Sequence, residues 1–529
     1  MLKPKDGSNM QEKNSSENKK QLEEKEVSKN IQQNIDWWKQ RFSDCADIKM
    51  REMYLGKQMN VKAFLSYIEI TGGKDMLQES ALGKMLSKLK ELPSEELSTA
   101  LEKNALGMSD ATPFATLMDA ANGMLTGDTI LFVDGFDQAL KIPDKGYPGM
   151  SLQETESEKA LRGSNEGFGT SIKQNTALVR KRLRSVNLKV TECKCGKQSN
   201  TNVDIMYMEN ITRHAVVEEM QERLQQFEVD GVEDSGVIEQ LTETQWFSPF
   251  PQFQTTRRPD RAVMALLEGR AVLLSDHSPE ALIFPTDYNS FIKTTDDYYT
   301  RWEIATFTRA LRYVASVLSM LLPGLYLAMT NFHTQLLPTK LLLSFAAARQ
   351  GVPFPGVVEI LLMELSFELL REAGVRLPGA MGNTIGIVGG LIIGQAAVEA
   401  NIVSPMVVIV VAFTALCSFA IPNEDFATAF RLLKFAFIGL SAALGFYGFL
   451  LGILLWLIHL AQLESFGVPY LMPFVGADLS GYKDEQDTLM RPPMWSLRRR
   501  PIYAKRSNRI RLKIQKQKKN TDGNTNKTK

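Results

Sequence analysis

Several common chemical signatures are scarce or missing in this 529-residue chain. Its four cysteines are too few for a disulfide framework. Cys193 and Cys195 have no second pair or nearby histidine to complete a metal site, so we expect ordinary strand residues. Phosphate-binding loops, dinucleotide fingerprints, zinc-protease motifs and serine nucleophile elbows do not occur. These absences disfavour the usual nucleotide, metal and acyl-transfer enzymes, and we expect neither catalytic residues nor a cofactor or metal.

Charge is balanced over the whole chain but segregated along it. The net charge is +1, from 61 basic and 60 acidic residues, so no bulk field indicates a nucleic-acid partner. Residues 1–35 are polar and charged, without the apolar stretch of a signal peptide, and predict a disordered arm. The chain has a soluble character to about residue 300, and long uncharged stretches follow. A basic tail, residues 476–529, contains Arg498, Arg499, Arg500, Lys505, Arg506, Arg509, Arg511 and Lys513.

Four stretches are long and apolar enough to cross a bilayer, which takes about 20 residues. They are residues 313–332, 377–398, 400–423 and 435–463. Arginines before the first stretch and after the last one place both ends in the cytoplasm by the positive-inside tendency, so the number of crossings is even. Four crossings would leave four basic residues in outer loops. Six crossings are the alternative, if shorter runs also cross. Those four residues are Arg371, Arg376, Arg431 and Lys434.

A glycine repeat marks the second stretch. Glycine recurs every fourth residue, at Gly382, Gly386, Gly390 and Gly394. On a helix this spacing gives a nearly continuous groove in which another backbone can approach closely. The repeat predicts helix packing, either within one chain or between subunits.

Residues 357–374 form a different kind of segment. Four ionisable residues share one helical face, and they are Glu364, Glu368, Arg371 and Glu372. Leu362, Leu365 and Leu369 share another face, so the segment predicts an amphipathic helix rather than a lipid-facing span. The charged face either lines an ion pathway or the interface between subunits, or it lies at the membrane surface with solvated carboxylates.

The soluble half contains an internal repeat. Residues 127–143 read GDTILFVDGFDQALKIP and residues 269–285 read GRAVLLSDHSPEALIFP, with six of seventeen positions identical at an offset of 142. Both predict a β-hairpin, with Asp134-Gly135 as the turn of the first. His277 replaces the glycine in the second copy, so that turn must change type or accept a positive φ. Asn60-Val61 and Asn202-Val203 also lie 142 apart, which suggests where the duplication begins.

These patterns predict a multi-domain α/β and α-helical membrane protein. Two similar cytoplasmic α/β subdomains, residues 36–165 and 166–300, precede a multi-span helix bundle at residues 301–475 and the basic tail. Paired subdomains can hold a ligand in their cleft or serve as a scaffold or ring-forming surface.

Four long motifs carry a family resemblance. They are GFGTSIKQNTALVRKRLR (167–184), RRPDRAVMALLEGRAVLLSDHSP (257–279), GVPFPGVVEILLMELSFELLREAG (351–374) and RLPGAMGNTIGIVGGLIIGQAAVEANIVSP (376–405). In this order they resemble the A subunit of the GerA-type nutrient germinant receptors of spore-forming bacteria. The resemblance covers about residues 36–501. His277, where the family is expected to have glycine, and the charged N-terminal arm depart from it.

The resemblance implies a role in spore germination at the spore inner membrane. It implies two partners, a multi-span B subunit that resembles transporters and a lipoprotein C subunit, together with a homo-oligomer that forms a nutrient-gated ion channel in the lipid bilayer. Three alternatives remain open: a scaffold that conducts no ions, a secondary transporter, disfavoured by the lack of inverted repeats, and a downstream germination paralogue. The nutrient, the number of subunits and the helix that lines any pore stay open.

Overall fold

A computed structural model describes residues 25–69, 89, 93, 112–142, 158, 162–376, 389–390, 393–475 and 487–513. The chain divides into two compact units. A sheet unit draws on Met1–Trp246, Phe253–Pro285 and Tyr503–Lys505, and a helical unit draws on Phe247–Gln252, Thr286–Ile502 and Arg506–Lys529.

The sheet unit alternates helices with antiparallel strands. Its first half contains α1 (Ile31–Arg41), β1 (Ile48–Leu55), β2 (Val61–Ile68), β3 (Thr112–Phe114), α2 (Leu117–Leu125), β4 (Thr129–Val133) and β5 (Ala139–Ile142). Its second half contains α3 (Ile172–Arg182), β6 (Leu188–Cys195), β7 (Thr201–Met208), α4 (His214–Gln225), α5 (Ser235–Thr242), β8 (Gln254–Thr256), α6 (Pro259–Glu268), β9 (Ala271–Ser275) and β10 (Ala281–Phe284).

The two halves repeat one topology. The first sheet has the strand order β1-β2-β4-β5-β3, and the second has the equivalent order β6-β7-β9-β10-β8. Both predicted hairpins are confirmed, as the antiparallel pairs β4-β5 and β9-β10. The two Asn-Val pairs lie at equivalent strands, β2 and β7, but two positions out of register, since Ala63 pairs with Val133 as Val203 pairs with Ser275. The second copy therefore has two more residues between these strands.

The turn after the central strand is also repeated. Asp134 Oδ1 accepts a hydrogen bond from the Ile31 amide at 3.2 Å, and Asp276 Oδ1 accepts one from the Ile172 amide at 3.2 Å. Gly135 has φ +85°, and His277 takes φ +69° in its place. The second turn thus keeps its geometry and accepts a strained non-glycine residue.

Burial explains why these segments pack as they do. All five residues of β4 and all five of β9 are buried, as expected for central strands. In the first half, α1 begins after Asn30, whose side chain accepts a hydrogen bond from the Gln32 amide. Trp38 of this helix is fully buried and donates its indole N–H to Ser66 Oγ at 2.8 Å. The cores therefore lie between each sheet and its helices.

The helical unit contains α7 (Tyr288–Ile292), α8 (Asp296–Tyr299), α9 (Trp302–Leu327), α10 (Thr339–Ala348), α11 (Gly356–Arg376), α12 (Pro405–Phe419), α13 (Glu424–Gln462), β11 (Glu464–Ser465) and β12 (Val468–Pro469). A π-helical turn, Ala328–Phe332, extends α9. Two of the described helices are long and apolar enough to cross a membrane, Trp302–Phe332 and Glu424–Gln462.

Two of the four predicted spans differ in the structure, and a third cannot be compared. Most of residues 377–398 lies outside the described residues. Residues 400–423 contain only α12, whose 15 residues begin at Pro405 and reach about 22 Å, less than the hydrocarbon core. Proline at the first helical position fixes this late start because it cannot donate to a preceding turn.

The predicted span 435–463 is not one straight helix. Gly445 has φ +63° and ψ −139°, which interrupts α13. Phe430 and Trp456 lie with ring centroids 6.4 Å apart, although 26 residues of continuous helix would separate them by about 39 Å. The chain therefore reverses at Gly445 into two antiparallel legs, residues 424–444 and 446–462. Hydropathy alone did not indicate this reversal.

Candidate functional site

A cluster of charged side chains lies between α11 and the first leg of α13. Lys434 Nζ lies 2.5 Å from Glu364 Oε2 and 3.3 Å from Glu368 Oε1. The Glu364 and Lys434 side chains are only 1% and 4% exposed. Arg371 and Arg431 each approach Glu368 Oε2 at 3.8 Å. Three of the four predicted residues of α11 are thus brought together.

The fourth, Glu372, stays apart from this charge cluster. It pairs with Arg376 at 2.7 Å, and both side chains are more than half exposed. The opposite face of α11 is apolar and also exposed, with Leu362, Leu365 and Leu369 at 38%, 57% and 64%. A helix that buries carboxylates and exposes leucines has the reverse of the pattern in water-soluble proteins, and it suits a lipid environment.

Sequence reasoning missed the partners of the predicted carboxylates. A count of four crossings would have left Arg431 and Lys434 in an outer loop, whereas both lie within α13. It also missed Glu359, which is fully buried, pairs with Arg349 at 3.2 Å and accepts a hydrogen bond from the Ser404 amide at 2.8 Å. A signal was present, since Lys434 interrupts an otherwise apolar segment.

The charge cluster has an incompletely satisfied oxygen. Glu364 Oε1 is buried and has no hydrogen-bond partner among the described residues. Arg371, by contrast, donates to Ser418 Oγ at 2.7 Å and lies 4.8 Å over the Phe419 ring. A buried carboxylate oxygen without a partner costs free energy unless a water or cation contacts it. Chemically, the cluster can hold a cation or a water at this oxygen.

The glycine repeat is only partly within the described residues, since Gly382 and Gly386 lie outside them. A Cβ added at Gly394 would meet Val408 Cγ1 of α12 at 3.4 Å, so this glycine packs within the chain. A Cβ at Gly390 would meet no described atom within 4 Å. The two described glycines therefore do not share one environment.

Two of the arginines before the predicted stretch 313–332 lie within α9 and are paired rather than free. Arg309 is fully buried and lies 2.7 Å from Asp487 and 3.3 Å from Asp297. Arg312 also contacts Asp297, at 2.9 Å. Their charges are thus neutralised locally, which weakens their use as markers of the cytoplasmic side.

In the sheet unit, an open cleft lies between the two repeats. Its empty space is about 420 Å³ including solvent at its mouth. Polar residues from both repeats line it, among them Asp47, Glu69, Lys173, Glu192 and Asp204. The cleft is therefore polar and open to solvent.

A buried ion pair joins the repeats beside this cleft. Arg180 of α3 is fully buried, and its Nε and one terminal nitrogen each lie 2.8 Å from the Asp47 carboxylate. Lys189 of β6 donates to the carbonyl oxygens of Arg41 and Ser43 at 3.0 and 2.8 Å. These contacts hold the two repeats at a fixed distance.

Asp204 is an unusual acid in this cleft. Burial, followed by the charges of Glu192, Asp47 and Glu69, raises the pKa of Asp204 to about 7. The Thr176 hydroxyl lies 3.1 Å from Asp204 Oδ2 and 2.9 Å from the Ile172 carbonyl oxygen. The Thr176 hydroxyl donates to Asp204, which partly offsets the rise in the pKa of Asp204. Burial is the largest cause of the shift and favours the neutral acid.

We expect Asp204→Asn to stabilise the sheet unit above pH 7. The folded pKa lies above the unfolded value of about 3.9, so folding takes up a proton between these values, and stability falls as pH rises from about 4 to 7. The charged form costs up to about 4 kcal/mol, which the amide avoids. Hydrogen exchange of the β7 amides in the full chain, corrected for intrinsic exchange rates, measures the stability of wild type and variant as a function of pH. An unchanged pH dependence in the variant would contradict it.

The described ranges contain no group of three His, Cys, Asp or Glu side chains arranged to hold a metal ion. Cys193 and Cys195 lie on β6, as predicted for ordinary strand residues. Burial raises the pKa of the Cys195 thiol to about 11, so it is protonated at neutral pH and weakly nucleophilic.

Comparison with known proteins identifies relatives along most of the chain. Spore germination protein KA of Bacillus subtilis (strain 168) is 38% identical over 485 residues, covering 92% of this chain and 88% of that protein. Spore germination protein GerLA of Bacillus cereus is 41% identical over 388 residues, covering 73% and 78%. The uncharacterized membrane protein YfkQ of Bacillus subtilis (strain 168) is 36% identical over 494 residues, covering 92% and 94%.

Among solved structures, the crystal structure of the N-terminal domain of the A subunit of the Bacillus megaterium spore germinant receptor GerK3 matches with a TM-score of 0.37 and 22% identity. The match covers 49% of this chain and 96% of that one. The model of the Bacillus/Clostridium GerA spore germination protein family matches residues 36–503. This chain therefore belongs to the GerA family of spore germination proteins, the A-subunit family of spore germination receptors.

Proposed function

We propose that this chain is the membrane subunit of a nutrient germinant receptor and that it converts nutrient sensing into ion release by forming part of a nutrient-gated ion channel. The observation that carries the proposal is the buried Glu364–Lys434 pair, beside leucines that face outward. Ionisable residues among membrane helices normally face a bundle interior or a water-filled path. Glu364 Oε1, which has no hydrogen-bond partner among the described residues, provides a contact point for a passing cation.

The wider arrangement is part of the same proposal. A transporter-like B subunit binds the nutrient, a lipoprotein C subunit completes the receptor, and the spore inner membrane holds a homo-oligomer of this chain. The subdomains at 36–165 and 166–300 and the tail at 476–529 lie in the cytoplasm, and the bundle at 301–475 spans the bilayer. A Cβ at Gly390 would meet no described atom within 4 Å, which supports a contact of the glycine repeat with another subunit.

A structural scaffold is the second candidate. Lys434 contacts both Glu364 and Glu368, and paired charges of this kind can fix helix register without conducting ions. A scaffold role predicts that loss of the pair lowers the amount of receptor. A channel role predicts altered ion flow at a normal amount of receptor. A downstream germination role without nutrient partners predicts no response to any single nutrient.

Gene deletion with add-back tests the proposal. We expect deletion to abolish potassium release after one nutrient class, and wild type to restore it. Glu364→Gln should change the release rate by roughly tenfold, the effect of a coupling free energy of about 1.4 kcal/mol, at unchanged receptor levels. Immunoblots establish those levels.

Glu372→Gln is the matched control, because Glu372 lies on the same helix but is exposed and pairs only with Arg376 among the described residues. We expect wild-type release from it. Normal release from the Glu364→Gln spores at equal protein levels would rule out a conducting role for this pair. Normal responses to all nutrients in the deletion strain would contradict the assignment of a nutrient response to this chain.

A further inference from the structure

The segment after the second apolar helix is strongly basic. Between Asp487 and Asp522 the sequence has no acidic residue. The described part, residues 488–513, carries Arg491, Arg498, Arg499, Arg500, Lys505, Arg506, Arg509, Arg511 and Lys513. A run of basic residues in an extended segment is usually just solvated. This segment is folded, so its charges are held together.

Backbone pairing gathers several of these arginines. Arg499 bridges Ile510 in antiparallel fashion, and the Arg511 amide donates to the Arg498 carbonyl oxygen at 2.8 Å. Burial and the charge of Arg511 lower the pKa of Arg500. Within the described ranges, no carboxylate lies within ion-pair distance of Arg498, Arg499 or Arg511. Like charges held together in this way repel, and an external anion would offset that repulsion.

The same segment is fixed to the beginning of α9. The Arg491 amide donates to Thr306 Oγ1 at 3.2 Å, and Arg309 donates to the Thr488 carbonyl oxygen at 3.1 Å. Because α9 begins at Trp302, these bonds place the segment at one end of a membrane-spanning helix. The basic residues are therefore held near the level of the lipid headgroups.

Several apolar side chains of the same segment are also exposed. Trp495 is 63% exposed, and Met490, Met494 and Ile510 are also at least half exposed. Apolar side chains are stabilised when they leave water. They suit a bilayer interface, where tryptophan is enriched and arginine contacts phosphate.

We propose that residues 488–502 and 506–513 of the helical unit, the basic surface, bind the headgroups of anionic phospholipids and insert Trp495 into the interface. Each arginine near an anionic bilayer strengthens such binding by about fivefold. Nucleic acid fits less well, because the surface is fixed at the end of a membrane helix. The inference rests on the membrane placement of α9 in the proposed function but is independent of ion conduction.

The test uses the full chain in lipid nanodiscs containing brominated phosphatidylglycerol or brominated phosphatidylcholine. The contribution of Trp495 is the difference in quenched tryptophan fluorescence between wild type and Trp495→Phe. We expect stronger quenching by the anionic lipid, and we expect added salt to abolish the difference. Arg498→Gln/Arg499→Gln/Arg511→Gln should raise the half-saturating phosphatidylglycerol fraction by at least about fivefold. The matched triple lysine variant should keep the preference.

Three results would overturn the proposal: equal quenching by both lipids, an unchanged preference in the triple glutamine variant, or loss of the preference when an RNA oligomer is added. The last would assign the surface to nucleic acid. Quenching of Trp302, obtained in the same way with Trp302→Phe, shows separately whether α9 begins at the bilayer. Its absence would count against the membrane placement rather than against lipid selectivity.

Discussion

Gly445→Ala is expected to disrupt the reversal in α13 and to lower the stability of the helical unit by about 3 kcal/mol or more. Gly445 adopts φ +63° and ψ −139°, a conformation essentially restricted to glycine. An added Cβ would also lie 2.7 Å from Phe332 Cγ, well inside van der Waals contact. Backbone strain and overpacking therefore act together. A movement of Phe332 would relieve the overpacking but not the backbone strain.

Gly439→Ala is the control for this change. Gly439 is exposed on the first leg of the same helix, and an added Cβ there would meet no described atom within 4 Å. Alanine should be neutral or slightly stabilising, because it restricts the unfolded chain more than glycine does. Thermal unfolding of the two purified variants in detergent compares them. Equal midpoints would show that α13 does not need the reversal at Gly445.

Arg180→Ala is expected to destabilise the sheet unit by about 3–5 kcal/mol. The substitution removes a fully buried guanidinium and leaves Asp47 without its two charge-assisted hydrogen bonds. It also releases the carbonyl oxygen of Leu188, to which Arg180 donates at 3.0 Å. Because this pair joins the two repeats, we expect the contact between them to loosen before either sheet unfolds.

Lys173→Ala on the same helix provides the comparison. Lys173 pairs with Glu69 at 2.6 Å, but its side chain is 54% exposed, and exposed pairs contribute about 1 kcal/mol at most. Hydrogen exchange of β1 and β6 amides in the full chain measures both variants. If Arg180→Ala accelerated exchange no more than Lys173→Ala does, the buried pair would not be what holds the repeats together.

Much of the sheet unit was predictable because its pattern is local. The repeated 17-residue segment predicted both hairpins, and the loss of the turn glycine predicted either a changed turn type or the positive φ that His277 adopts. The strand order was not predictable from these patterns. Pairing of β3 at the far edge next to β5 depends on contacts between distant segments.

The helical unit shows what hydropathy misses. A window average describes whether a segment is apolar but not the direction of the chain, so it could not detect that Gly445 reverses α13. Periodicity identified the charged face of α11 but not its partner. Lys434 lies 70 positions from Glu364 in the sequence, and only the packing of α13 on α11 brings them together.

The most direct test of the proposed ion pathway is the cation preference of nutrient-triggered release in spores with the charge pair exchanged, Glu364→Lys with Lys434→Glu. The exchange preserves the attraction but moves the carboxylate to the other helix. We predict normal receptor levels, restored release relative to either single reversal, and a changed ratio of potassium to rubidium efflux in rubidium-loaded spores. An unchanged ratio in the exchanged pair and in Glu364→Gln would contradict ion passage beside this cluster and would favour the scaffold.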